Sequence, residues 1–252
     1  MRLDLFLVKF KLAHSRAHAQ ELIKSGQVYE KKLGIKTILK KANHLVEENQ
    51  QDIYVERGPA NRYVSRGGLK LEGALLTTGI VPQGQRVLDV GISTGGFSDC
   101  LLQNGASFVL GVDVGHGQLH RSLFNNANLK LIEGMNAREI DSDPRVLALR
   151  PPGGFDLVVM DVSFISITLI VPRLMPLLKQ GGFLLSLVKP QFEVGPEGLG
   201  KGGIVKDSGL FLDVEDKVKG VCQVSGFRVR NYFASPIEGK DGNKEFFILA
   251  QK

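Results

Sequence analysis

The chain has 252 residues, 43% of them apolar, and a formal net charge of +6. That supplies core enough for one large domain and a small appendage without disulfide staples, and no run approaches the roughly 18 uninterrupted apolar residues of a membrane span. Cys100 and Cys222 stand far apart in apolar, helix-like surroundings, so reduced core thiols in a cytoplasmic, unprocessed protein are expected, and the positive charge favours a polyanionic partner.

Residues 1–60 hold 11 Lys and Arg against 7 Asp and Glu, so the excess charge concentrates at the front. There Leu3, Leu5, Phe6 and Val8, then Ala17, Ala19, Leu22 and Ile23, recur at helical intervals, predicting two short amphipathic helices. Ser15 is placed to cap the second helix and Gly26 to stop it. Short strands are expected at Val28–Tyr29, Lys36–Leu39 and Asp52–Val55. Arg16 and Lys24 are eight residues apart, about two helical turns, and so share a face that can track phosphates or merely be solvated. The stretch RLDLFLVKFKLAHSRAHAQELIKSGQVY resembles the small RNA-binding domain named after the fourth protein of the small ribosomal subunit. The resemblance implies that Arg2, Arg16 and Lys24 contact RNA. It departs at YEKKLG, where that family usually carries a tight Val-Asn-Gly turn.

Hydrophobic periodicity lapses in RGPANRYVSRGG, residues 57–68, where Gly, Pro, Asn and Arg cluster. The expected division is a front domain over 1–59, a linker over 60–68 and a large domain over 69–252. Beyond it QRVLDV, SFVLGVDV, LKLIEG, FDLVVMDV and GGFLLSLV read as buried strands separated by segments of helical length. This alternation predicts an α/β, Rossmann-like sheet, mostly parallel and covered on both faces. FRVRNYFAS and KEFFILAQK leave no room for a helix between them and should close the sheet as an antiparallel hairpin.

The turn DVGISTGGFSD follows the first of these strands. Gly91, Gly95 and Gly96 match neither the dinucleotide fingerprint nor the triphosphate loop. They offer a strand end, a tight turn and a helix start near Gly96 whose amides suit one carboxylate. Asp113, 24 residues beyond Asp89, ends the next strand, where a carboxylate accepts hydrogen bonds from ribose hydroxyls; capping the following segment is its alternative role. An amino acid tail together with adenosine indicates S-adenosylmethionine. Asp161 and Lys189 end the fourth and fifth strands at the same carboxyl edge, Lys70 precedes the sheet in RGGLKLEGAL, and Glu245 opens the last strand.

YVSRGGLKL, DVGISTGGFSD, VDVGHGQLH, MDVSFIS, LVKPQFEVG and SPIEGKDGNKEF, in this order, resemble the TlyA family, also labelled haemolysins, whose catalytic domain is similar to FtsJ-type ribose methyltransferases. The resemblance implies a catalytic tetrad of Lys70, Asp161, Lys189 and Glu245. It also implies cofactor contacts by Asp89, Gly91, Ser93, Thr94, Gly95, Gly96, Phe97, Asp113, Asn136 and Asp161. Ile92 stands where Ala is common and is expected to crowd the cofactor slightly. A ribose hydroxyl is a poor nucleophile, so a nearby proton acceptor is needed. Burial, the Lys70 cation and the sulfonium would favour a neutral Lys189 amine as that acceptor, with Lys70 and Glu245 orienting the ribose and Asp161 fixing Lys189. Salt bridging at a sheet edge is the alternative role of each of the four.

Asn136 is expected at the adenine or simply in a turn, and Arg66 at RNA beside the hinge or capping the linker. His14 with His18, and His116 with His120, have i, i+4 spacing but no third ligand, so no metal is expected. The expected activity is methylation of ribose 2′-oxygens in ribosomal RNA, cytidine by resemblance. The alternatives are a different methyl acceptor, a non-catalytic RNA-binding or ribosome-assembly factor, and a membrane-active haemolysin.

Overall fold

The computed structural model describes all residues except 14, 51, 57, 59–61, 240 and 241. His14, most of the Gly-Pro-Asn stretch of the expected hinge and two residues of the last loop therefore lie outside the described residues. The chain divides into two compact units, Met1–Arg66 and Gly67–Lys252.

In the first unit α1 (Leu3–Lys9) and α2 (Arg16–Lys24) precede β1 (Val28–Lys32), β2 (Ile35–Ile38) and β3 (Ile53–Val55). The Ser15 hydroxyl accepts from the His18 amide at 3.2 Å, and Gly26 takes the positive φ (+73°) that lets the chain leave α2. The three strands pair antiparallel in the order β2-β1-β3. Leu3, Phe6 and Leu7 face Ala19, Leu22 and Ile23 over Val28 and Ile53. Leu5, expected inward, is exposed: at about 100° per residue it lies on the side of α1 away from Leu3 and Leu7. The divergent β1–β2 turn is made by Leu33 (φ +49°) and Gly34 (φ +85°), both with the positive φ that a two-residue type I′ hairpin demands.

α3 (Arg66–Thr78) begins at the last residue of the first unit and runs into the second, so Arg66, Gly67 and Gly68, expected as the end of the linker, already form a helical turn. The second unit continues with β4 (Arg86–Val90), α4 (Gly96–Gln103), β5 (Phe108–Val112), β6 (Leu129–Ile132), α5 (Pro144–Leu149), β7 (Phe155–Met160), α6 (Val171–Leu174), β8 (Leu178–Val188), α7 (Leu210–Val224), β9 (Arg228–Ala234) and β10 (Phe246–Gln251). The sheet order is β6-β5-β4-β7-β8-β10-β9. The first five strands are parallel, and β10 runs antiparallel to β8 and β9, as the final hairpin requires. Strands β4 to β6 extend to one side and β7, β8 to the other, which puts the crevice of the fold at the carboxyl ends of β4 and β7. One expectation fails: the β5–β6 connection holds a single 3-10 turn, Arg121–Leu123, and no α-helix. Gly115, Gly117 and the Asn-Asn-Ala-Asn run at 125–128 break the helical pattern there.

Candidate active site

Val87, Leu88 and Val90 fix β4 in the core and carry Asp89 inward with them, fully buried. Its Oδ2 accepts from the Ser98 hydroxyl at 2.6 Å, tying the strand to the start of α4, while Oδ1 is buried without a partner in the protein. Burial pushes the Asp89 carboxyl up to about 7; Asp161 and Asp113 add to the rise and Ser98 opposes it. Gly91 follows at φ +86°, and a Cβ there would meet the Asp161 carbonyl oxygen at 2.4 Å, so β4 and β7 close on each other only around glycine.

The Ser93 amide donates to Asp113 Oδ2 and the Gly115 amide to Asp113 Oδ1, both at 2.8 Å. Asp113 thus fastens the glycine turn to the end of β5, and both carboxylate oxygens keep acceptor capacity. Gly95 caps α4 at φ +93°, where Leu119 and Leu123 leave no room for a side chain. The amides of Gly96 and Phe97 fall in the first turn of α4, which has no intrahelical acceptors to offer them, and Thr94 is half-buried just before them.

Two expectations change. The Phe97 ring lies in the core, 6.4 Å from Phe247, so only its backbone faces the turn. Ile92 is also buried, packed over Gly111 of β5, and that missing side chain gives it the space it would otherwise have taken from the turn. Asn136 accepts from the Arg138 amide at 3.1 Å and caps a 3-10 turn; that is the turn role, and it leaves the residue half-buried after β6.

The four tetrad residues form two ion pairs. Lys189 Nζ lies 2.6 Å from Asp161 Oδ1 and donates to the Ser163 hydroxyl at 2.8 Å; its side chain is 12% exposed. Lys70 Nζ, from α3, donates to Glu245 Oε2 at 2.5 Å, and both residues are buried. Because Val188 pairs with Phe246, Lys189 and Glu245 come next on adjacent strands, bringing the two pairs to one edge of the sheet. Beside them Phe164 stands almost fully exposed at φ +64°, its ring 5.2 Å from Phe192.

Sequence reasoning missed the residues that hold this edge. Buried Glu193 accepts from the Ser166 hydroxyl (2.5 Å), the Ile167 amide (2.8 Å) and Lys217 (3.2 Å), pinning the turn after Lys189. Buried Asn243 accepts from the Val205 amide and donates to the Gly203 carbonyl, binding the glycine-rich segment 198–206 to the loop that ends in Glu245. They lie inside LVKPQFEVG and SPIEGKDGNKEF, yet nothing local distinguishes them from neighbouring polar residues.

In the first unit Arg2 and Arg16 both ion-pair with Asp4, at 3.0 and 2.9 Å. Lys24 is exposed in the last turn of α2, and Arg66 is exposed at the start of α3. Among the described residues no group of three His, Cys, Asp or Glu is placed to hold a metal ion, and no helix is long and apolar enough to cross a membrane. His120 instead caps its 3-10 turn.

The crevice fits a cationic cofactor. Asp113 and Asp161 both act electrostatically on Asp89, and Asp89 Oδ1 is a buried acceptor in want of a donor. S-adenosylmethionine, with its ammonium, sulfonium and ribose hydroxyls, matches that set of acceptors. Asp89, the turn from Gly91 to Phe97, and Asp113 would hold it.

The FtsJ-like methyltransferase family profile matches residues 63–252, and the S4 domain profile residues 1–29. The chain is 38% identical to the 16S/23S rRNA (cytidine-2'-O)-methyltransferase TlyA of Mycobacterium tuberculosis, over 98% of this chain and 88% of that protein. It is 37% identical to Hemolysin A of Brachyspira hyodysenteriae, over 98% of each. A solved structure from Streptococcus thermophilus, named as a hemolysin, superposes with a TM-score of 0.73 at 36% identity, over 100% of this chain and 88% of that one. With an S4 domain in front and a methyltransferase sheet behind it, the chain belongs to the FtsJ-like methyltransferases and, among them, to the TlyA family of rRNA methyltransferases.

Proposed function

We propose that this chain transfers a methyl group from S-adenosylmethionine to the 2′-hydroxyl of a cytidine ribose in ribosomal RNA, with the front module, residues 1–59, recruiting the RNA. The observation that carries this reading is the pair of Lys–carboxylate contacts, Lys189–Asp161 and Lys70–Glu245, on adjacent strands beside the glycine turn. The names of relatives such as the M. tuberculosis protein support the acceptor.

When bound, the cofactor supplies an electrophilic methyl on a positively charged sulfur. The residues of the chain do the rest. Once its ammonium has released one proton to solvent, Lys189 takes the hydroxyl proton at Nζ, held in place by Asp161 and Ser163. Lys70, fixed by Glu245, donates a hydrogen bond to the ribose and keeps it in line. The exposed ring of Phe164 offers an unpaired base a stacking face.

The test is mass mapping of ribose methylation in rRNA incubated with the protein and S-adenosylmethionine. A new 2′-O-methyl site, lost in Lys189→Ala while cofactor and RNA still bind, is the expected result. An unchanged rate in that variant would overturn the assignment of Lys189. The hemolysin name borne by one relative favours a second reading, membrane lysis, and release of haemoglobin from erythrocytes by the purified Lys189→Ala variant would support it.

A further inference from the structure

The front module buries one carboxylate completely. Asp4 receives Arg2 through Nε on Oδ1 and Nη2 on Oδ2, both at 3.0 Å, Arg16 Nε on Oδ2 at 2.9 Å, Gln20 Nε2 on Oδ2 at 3.1 Å, and the Leu5 amide on Oδ1 at 3.0 Å. Burial alone would push its carboxyl up, but these donors outweigh it and hold Asp4 well below the usual carboxylate range, ionised at any working pH.

Such a cluster is a poor way to join two helices. A buried ion pair roughly offsets its own desolvation, and an apolar residue of similar size would hold α1 to α2 as well or better. What an apolar residue could not do is keep two cations together. Arg2 comes from the residue before α1 and Arg16 from the first turn of α2. Both reach the same carboxylate, while their side chains stay 41% and 53% exposed. Two guanidiniums of like charge converge on one carboxylate, and neither side chain is buried with it.

We propose that Asp4 is a positioning residue that holds Arg2 and Arg16 as a preformed two-guanidinium cradle for a phosphate group of RNA. This rests on the reading of the front module as the part that recruits RNA. A free arginine gives up rotamer entropy when it is immobilised, and a guanidinium already fixed against Asp4 gives up less of it on binding. The cradle carries a net charge of +1, enough to attract one phosphate without repelling its own halves apart.

Asp4→Asn in the full-length protein separates this role from bulk charge. It is nearly isosteric and raises the net charge by one, so a charge-only account predicts tighter RNA binding. Positioning predicts the opposite: roughly tenfold weaker binding to fluorescein-labelled ribosomal RNA, and a raised KM for RNA in methyl transfer with kcat and S-adenosylmethionine affinity held. Arg16→Lys, which keeps the charge and loses the fork, should also bind several-fold more weakly, and it decides the matter if Asp4→Asn fails to fold. Parent-like or tighter binding by a folded Asp4→Asn, or by Arg16→Lys in its place, overturns the positioning role alone. If the parent itself binds no ribosomal RNA, the RNA-recruiting reading falls first and the cradle with it.

Discussion

Lys189 owes its placement to two neighbours, Asp161 at 2.6 Å and Ser163 at 2.8 Å, and both come from the loop after β7. Substituting Lys189 by Ala removes the proposed proton acceptor and leaves the side chains of the cofactor crevice in place. Methyl transfer should fall by about 10²- to 10⁴-fold in single-turnover assays while S-adenosylmethionine binding by calorimetry stays within twofold. Asp89 behaves differently because its perturbation is set by burial. Its carboxyl rises from 3.8 to about 7, so the folded cofactor-free chain holds that proton more tightly than the unfolded one. The resulting stabilisation is complete below about pH 4 and is lost as pH rises through about 7. A rise of that size corresponds to about 4 kcal/mol at most. Asp89→Asn should therefore lose less stability than the parent between pH 5 and pH 8, measured by urea denaturation without cofactor. An identical pH slope in the two proteins would show that Asp89 is ionised in the fold.

At the scale of single elements, backbone geometry decides what a position tolerates. Gly91→Ala would set a Cβ 2.4 Å from the Asp161 carbonyl oxygen at a φ of +86°. A loss of about 2 kcal/mol or more in thermal unfolding is expected, together with loss of cofactor binding, because β4 and β7 must move apart at the crevice. Leu33 is the reverse case: an apolar residue fully exposed at φ +49° in the β1–β2 turn. Leu33→Asn relieves a left-handed strain of about 1 kcal/mol and should raise the melting temperature of the first unit by a few degrees, with RNA binding unchanged. The glycine turn after β4 was readable in the sequence because strand, glycines and helix start are consecutive. The fate of Ile92 was not, since it depends on Gly111 of the neighbouring strand, and the β5–β6 helix was misread because periodicity outweighed the glycines that break it.

For the whole molecule, the surplus of cations in residues 1–60 implies that RNA affinity falls steeply with salt. Removing Arg2, Arg16 and Lys24 together should reduce the slope of log affinity against log salt by about 1.4 for single-stranded RNA, at roughly 0.7 for each of the two phosphates no longer neutralised, one at the Arg2–Arg16 cradle and one at Lys24. Cofactor affinity should not change. An unaltered slope would place the RNA-binding surface elsewhere. By itself the sequence determined the two-part organisation and the mostly parallel sheet with its antiparallel finish. These are written in periodicity and in short contiguous motifs, which local sterics and burial translate directly. Only the tertiary structure decided that the tetrad divides into Lys189–Asp161 and Lys70–Glu245, the latter 175 residues apart in the chain, and that Asp4 gathers two arginines. Such partnerships depend on which side chains the folded sheet and packed helices bring within a few ångströms, and no local pattern records that distance.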